Sequence, residues 1–143
     1  MKLSFRFKDV DVGEFGKIRR PIIPVSINSG GQSFDVEALI DSGSDGCVLP
    51  RDFAEAIGVE VGNASEEFGI GGEKIKAGLG KITLTIADGK STVPLHGVPV
   101  YVPLEGGVEL EEVIIGREPF FRDFDITFMQ NSNRIILERA RRA

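Results

Sequence analysis

Several things are scarce in this chain of 143 residues, and each scarcity narrows what the protein does. There is one cysteine, Cys47, so no disulfide can form within the chain, and a lone thiol in an apolar run reads as a small buried side chain. The one histidine, His96, lies in a proline-rich stretch and reads as structural. No apolar segment is long enough to span a membrane. Met1 to Lys8 alternates and carries charge where a signal peptide needs an unbroken apolar run, so a cytoplasmic protein with no membrane partner is expected. Positive charge is in deficit: the net charge of −5 argues against nucleic acid as a partner, and Arg139, Arg141 and Arg142 read as a solvated end. Metal clusters and phosphate loops are missing too. Gly69-Ile70-Gly71-Gly72 lacks the Lys and Ser/Thr that a phosphate loop requires, so neither a cofactor nor a metal is implied.

What is present is mostly strand. Leu3, Phe5 and Phe7 alternate with charged or polar neighbours, as do Ile82, Leu84 and Ile86, and both runs read as half-buried strands. Asp88-Gly89 then predicts a hairpin turn into a strand over 93–102, which Pro94, Pro99 and Pro103 place at an edge or break. Two segments look helical: 50–57, closed by Gly58, and 117–124, with Pro119 in a first turn. Runs at 125–129 and 134–137 flank a turn-rich Gln130-Asn131-Ser132-Asn133, which predicts a last hairpin. No linker or tandem repeat interrupts the pattern, and 41% hydrophobic residues suffice for a core, so residues 1–143 are expected to form one domain. The expected fold is mostly β: a closed or nearly closed β-barrel with one or two short helices.

The most informative stretch is Ala38-Leu39-Ile40-Asp41-Ser42-Gly43-Ser44, where an apolar strand delivers an acid into a hydroxyl-glycine turn. A carboxylate at the mouth of a buried strand reads as catalytic, although Asp-Ser-Gly alone also suits an ordinary Asx turn. Asp41 to Asp52 also partly mimics a calcium loop. Gly43 at its third place has no side-chain oxygen, however, and the preceding segment is a strand where that motif needs a helix.

The stretch resembles the signature of the retropepsin-like, retroviral-type aspartic proteases, and three further pieces fall in that family's order. These are the strand and turn from Arg20 to Gln32, the glycine-rich Phe68-Gly69-Ile70-Gly71-Gly72-Glu73, and Val113-Ile114-Ile115-Gly116-Arg117-Glu118. The resemblance covers about residues 20 to 138. It implies that Asp41 is catalytic, with Ser42, Gly43 and Ser44 supporting the active-site loop. It further implies that Gly69, Ile70, Gly71 and Gly72 form a flap over the substrate, and that Ile115-Gly116 forms a second loop element. Ser42 would reach across a dimer axis, and Ser44 would donate its hydroxyl to the carboxylate.

Peptide hydrolysis by water needs two acids, one to take a proton and one to give it. The chain holds no second Asp-Ser-Gly or Asp-Thr-Gly, and its second half offers Ile115-Gly116-Arg117 at the corresponding place. The resemblance implies the remedy: a homodimer in which each chain gives one Asp41, acting as an endopeptidase on extended peptide or unfolded protein. A dimeric peptide-binding module with little activity is the competing expectation. Glu73 at the flap end, an extra N-terminal strand and the last hairpin depart from the retroviral pattern, so the dimer contact is expected to be built differently.

Overall fold

The computed structural model describes residues 1–62, 66–70, 72–104 and 112–139, with the side chains of Glu66, Phe68, Ile70 and Glu73 outside the description. In chain order the strands are β1 (Lys2–Phe5), β2 (Lys8–Asp11), β3 (Lys17–Arg20), β4 (Ile22–Ser29), β5 (Gln32–Ile40) and β6 (Cys47–Val48). Helix α1 (Arg51–Ile57) follows, then β7 (Glu66–Ile70), β8 (Glu73–Ala87), β9 (Thr92–Pro103) and β10 (Val113–Ile115). Helix α2 (Phe120–Asp123) leads directly into β11 (Phe124–Met129), and β12 (Arg134–Arg139) completes the described chain.

Two-residue alternation drives the architecture. β4 buries Ile23, Val25 and Ile27 and turns Pro24 and Asn28 outward. Gly30 and Gly31, at φ of 59° and 81°, supply the left-handed turn that returns β5 beside it. The pairing runs β4-β5-β10-β6-β9-β8, and β8 then pairs back to β4 from Val25↔Ile86 to Asn28↔Thr83. That last contact closes a six-stranded barrel, as the strand pattern implied. β7 lies on the outside of β8 as a terminal strand of the sheet.

A second sheet, ordered β1-β12-β11, lays Leu3, Phe5, Ile135, Leu137 and Phe124 into the same core as the barrel strands. The N-terminal region is more than the single strand expected. β2 and β3 form a hairpin of their own, tied to the β11–β12 turn where Gln130 donates to the Arg19 carbonyl and Arg19 donates to the Gln130 carbonyl.

One expectation holds and one needs correction. β9 runs 12 residues antiparallel to β8 with a register shift between Ile82 and Leu84, and it has β6 as a second, parallel neighbour only at Val100 and Tyr101, so Pro94 and Pro99 lie at an edge as expected. Their nitrogens are thereby clear of a second ladder. The second helix covers only Phe120–Asp123, because Glu118 is bridged to Gly46 in the neighbouring loop, Pro119 takes the N-cap place and Phe124 is already extended in β11. α1 behaves as predicted, ending at Gly58 in the left-handed conformation. No helix among the described residues is long and apolar enough to cross a membrane.

Candidate active site

Asp41 is the first residue past β5, and its position is set by the strand beside it. β10 runs parallel to β5 with Ile115 opposite Ile40, and the Asp41 N–H donates to the Ile115 carbonyl at 2.9 Å. The chain then turns sharply. Ser44 N–H donates to the Asp41 carbonyl at 3.2 Å, and Gly43 N–H donates to Asp41 Oδ1 at 2.8 Å. One carboxylate oxygen is thereby fixed by backbone while the half-buried side chain stays open to solvent. Ser42 is exposed, and its hydroxyl bonds to no described residue.

Ser44 does something other than expected. Its side chain is fully buried and donates to the Gly46 carbonyl at 2.8 Å, so its one proton is not directed at Asp41. The hydroxyl instead satisfies a carbonyl inside the loop and holds the loop's shape. Gly46 lies under Tyr101, where a Cβ would come within 2.5 Å of the ring.

The second loop element braces the first. Arg117 N–H donates to the Ser44 carbonyl and Glu118 N–H to the Asp45 carbonyl, each at 2.9 Å. This close stacking explains Gly116. A Cβ there would lie 2.0 Å from the Gly46 carbonyl oxygen and 2.8 Å from that of Ser44, separations no side chain tolerates. Gly116 follows Ile115 as Asp41 follows Ile40, one residue past the parallel pair, so the chain cannot carry a second carboxylate there.

The segment expected to form a flap is a hairpin: β7 and β8 pair from Glu66↔Ala77 to Ile70↔Glu73, with Gly72 at φ of 82°. Gly71 and the Ile70 side chain lie outside the described residues, as do Arg141 and Arg142. Gly69 meets the Asp41 loop: its N–H donates to Asp45 Oδ2 at 2.9 Å, and Asp45 N–H donates to its carbonyl at 2.9 Å. Sequence reasoning treated Asp45 only as part of a calcium-like pattern. Its true partner is 24 residues away, on β7. Cys47 is buried beside this loop, and burial pushes its thiol up to about 11, so it stays protonated and unreactive at neutral pH. His96 is exposed, with Nδ1 3.5 Å from the Thr83 hydroxyl.

A strand-borne aspartate in a glycine turn is thus braced by a second loop and faced by a hairpin. A family model described as aspartyl protease matches residues 23–118, spanning β4 to the bracing loop. The chain belongs to the aspartyl protease family. Its fold is retropepsin-like. A solved retropepsin-like aspartic protease from Rickettsia conorii superposes with a TM-score of 0.60 at 13% identity, covering 96% of this chain and 90% of that one. EIAV protease complexed with the inhibitor HBY-793 gives a TM-score of 0.47 at 20% identity, covering 73% of this chain and 88% of that one. No curated protein sequence matches this one.

Proposed function

We propose that this aspartyl protease-family chain is an aspartic endopeptidase that works as a homodimer, with one Asp41 from each subunit flanking the scissile peptide bond. The observation that carries it is the packing of Gly116: the residue that follows Ile115 as Asp41 follows Ile40 lies too close to the Gly46 and Ser44 carbonyls to hold an acid. A complete site therefore needs a second chain. Two carboxyls brought together cannot both ionise, so the pair holds one proton between them. The ionised member takes a proton from water, the water oxygen attacks the peptide carbonyl, and the protonated member supplies its proton to the carbonyl oxygen. Transfer to the departing nitrogen then breaks the C–N bond. Gly43 N–H holds one carboxylate oxygen in place throughout, and the unbonded Ser42 hydroxyl is available to the partner subunit's loop backbone.

The terminal sheet offers a second copy a place to join. On β1 the outward N–H of Ser4 is already capped by Asp88 Oδ2 at 3.0 Å, which blocks that edge. On β11 the hydrogen-bonding alternation turns Ile126 and Phe128 backbone groups outward, and no described residue bonds to them. Antiparallel pairing of β11 with its symmetry mate would unite two three-stranded sheets without exchange of termini. The substrate is an extended peptide gripped beneath the β7–β8 flap by backbone hydrogen bonds.

The test is mass-spectrometric detection of cleavage of an unfolded protein, with and without a statine-type transition-state mimic, at concentrations where sedimentation shows dimers. Cleavage suppressed by the mimic, lost on dilution and poisoned by excess Asp41→Asn chains is expected. An active monomer overturns the shared site. Peptide binding by a dimer that cuts nothing leaves a binding module instead.

A further inference from the structure

At one end of the terminal sheet the chain sets two cations side by side. β1 and β12 pair antiparallel as far as Phe5↔Ile135, and the next residue on each is an arginine, Arg6 and Arg134. Phe5, Phe7 and Ile135 fill the core, so both arginines lie on the exposed face, where like charges on neighbouring strands repel. No acid relieves them. Lys2, Lys8, Arg20, Arg51 and Arg122 are each paired with a glutamate, whereas Arg6 and Arg134 have no ion-pair partner among the described residues, although the chain's net charge is −5. Asp88, which accepts the Ser4 N–H, is engaged by the N–H groups of Lys90 and Ser91 as well. The two arginines line an open cavity of about 500 Å³ together with Ser4, Phe5, Ser132 and Asn133. Every polar side chain around it can donate a hydrogen bond. Asn133, held at φ of 56°, accepts the Phe7 N–H on Oδ1 at 3.0 Å, which leaves its NH2 group as the half of the carboxamide open to a ligand.

We propose that this cavity binds a phosphate group, clamped between the Arg6 and Arg134 guanidiniums and met by the Asn133 NH2 group and the Ser4 and Ser132 hydroxyls. A phosphate dianion offers three oxygens to converging guanidinium forks, more than a planar carboxylate has, and it replaces a repulsion with charge-assisted hydrogen bonds on both arginines. The cavity is open, so inorganic phosphate and a small phosphomonoester share the same recognition chemistry. Peptide cleavage plays no part in this binding.

Amide NMR of the full chain at fixed ionic strength tests it, with inorganic phosphate and glycerol 3-phosphate titrated separately and sodium chloride as the control. Saturable shifts at the Arg6, Asn133 and Arg134 amides are expected, with a dissociation constant on the order of 1 mM, and Arg134→Gln should weaken binding about ten-fold. Tighter binding of the ester assigns the clamp to phosphomonoesters, and equal binding assigns it to free phosphate; both sustain it. Thermal unfolding adds a readout that changes sign. In phosphate-free buffer Arg6→Gln should raise the Tm by about 1–3 °C because the repulsion is gone, whereas in saturating phosphate wild type should be the more stable protein. A lower Tm for Arg6→Gln without phosphate overturns the unrelieved repulsion. Shifts that never saturate, or that chloride reproduces, mean an adventitious ion only and overturn the site, as does Arg6→Gln binding phosphate as tightly as wild type.

Discussion

The two strand–turn–helix units of this protein, β5 through α1 and β10 through α2, start alike and end differently. Each sends an isoleucine-terminated strand into a tight loop, and the strands lie parallel with Ile40 opposite Ile115. After Ile40 comes Asp41, partly open and held by Gly43 N–H; after Ile115 comes Gly116, buried against the carbonyls of Gly46 and Ser44. The first unit spends its turn on presenting a carboxylate. The second spends the same turn on buttressing the first, through the N–H groups of Arg117 and Glu118. The helices follow suit. α1 is seven residues, closed by a left-handed glycine, whereas α2 is four residues anchored by fully buried Phe120, whose ring lies 5.0 Å from that of Phe124. Division of labour between similar loops leaves one acid per chain.

The sharpest way to break that contrast is Asp41→Asn. It keeps an Oδ1 acceptor for Gly43 N–H and should lower kcat/KM by about ten-thousand-fold without altering thermal unfolding. Survival of cleavage in the purified variant would remove Asp41 from the chemistry.

Next in size is Gly116→Ala, which drives a methyl into the Gly46 carbonyl and should cost about 3 kcal/mol of stability. Gly43→Ala, whose Cβ would meet only Asp41 Oδ1 at 3.1 Å, should cost about 1 kcal/mol and act mainly on activity. Urea unfolding of the pair measures the difference. Equal costs would mean that the bracing loop yields, and that Gly116 does not explain the missing second acid.

Ser44→Ala should cost about 1 kcal/mol by removing the buried bond to the Gly46 carbonyl. Because the hydroxyl faces the loop backbone and not Asp41, the acid limb of the kcat/KM profile should stay where it is in wild type. A shifted limb would show that the hydroxyl reorients toward the carboxylate in the dimer.

The smallest effect concerns Asp88, at the far end of the barrel. The N–H groups of Ser91, Lys90 and Ser4 hold its carboxyl below its ordinary value of 3.8. A lowered folded value means that the unfolded chain binds the proton first, so this contribution is present above about pH 4 and is lost as pH falls through the folded value. Asp88→Asn should therefore flatten the acid side of the stability curve slightly, and exchange at the Ser4 amide should increase. An unchanged acid slope would mean that the β8–β9 turn and β1 are held by packing alone.

Much of this was legible from local pattern. Alternation in β1, β4, β8 and β12, the glycine turn at Gly30-Gly31, the Asp88-Gly89 hairpin and the Gly58 helix end each express a constraint within a few residues of chain. One exception involves a distant partner: α2 starts late because Glu118 is bridged to Gly46, in a loop more than seventy residues earlier. The β2–β3 hairpin lacked a clear alternating signal because its strands bury almost nothing.

Sequence alone determined that Asp41 ends an apolar strand in a hydroxyl-glycine turn, that glycines follow at 69, 71, 72 and 116, and that no second Asp-Ser-Gly or Asp-Thr-Gly stands in these 143 residues, since composition and order need no partner. Tertiary structure alone decided where the hydrogen bonds go. Sheet pairing placed β10 beside β5, and with it Gly116 against Gly46, while the folded loop took the Ser44 hydroxyl inward and Asp45 onto Gly69. A hydroxyl or carboxylate bonds to whatever the closed sheet brings within three ångströms, and nothing in the neighbouring sequence names that partner.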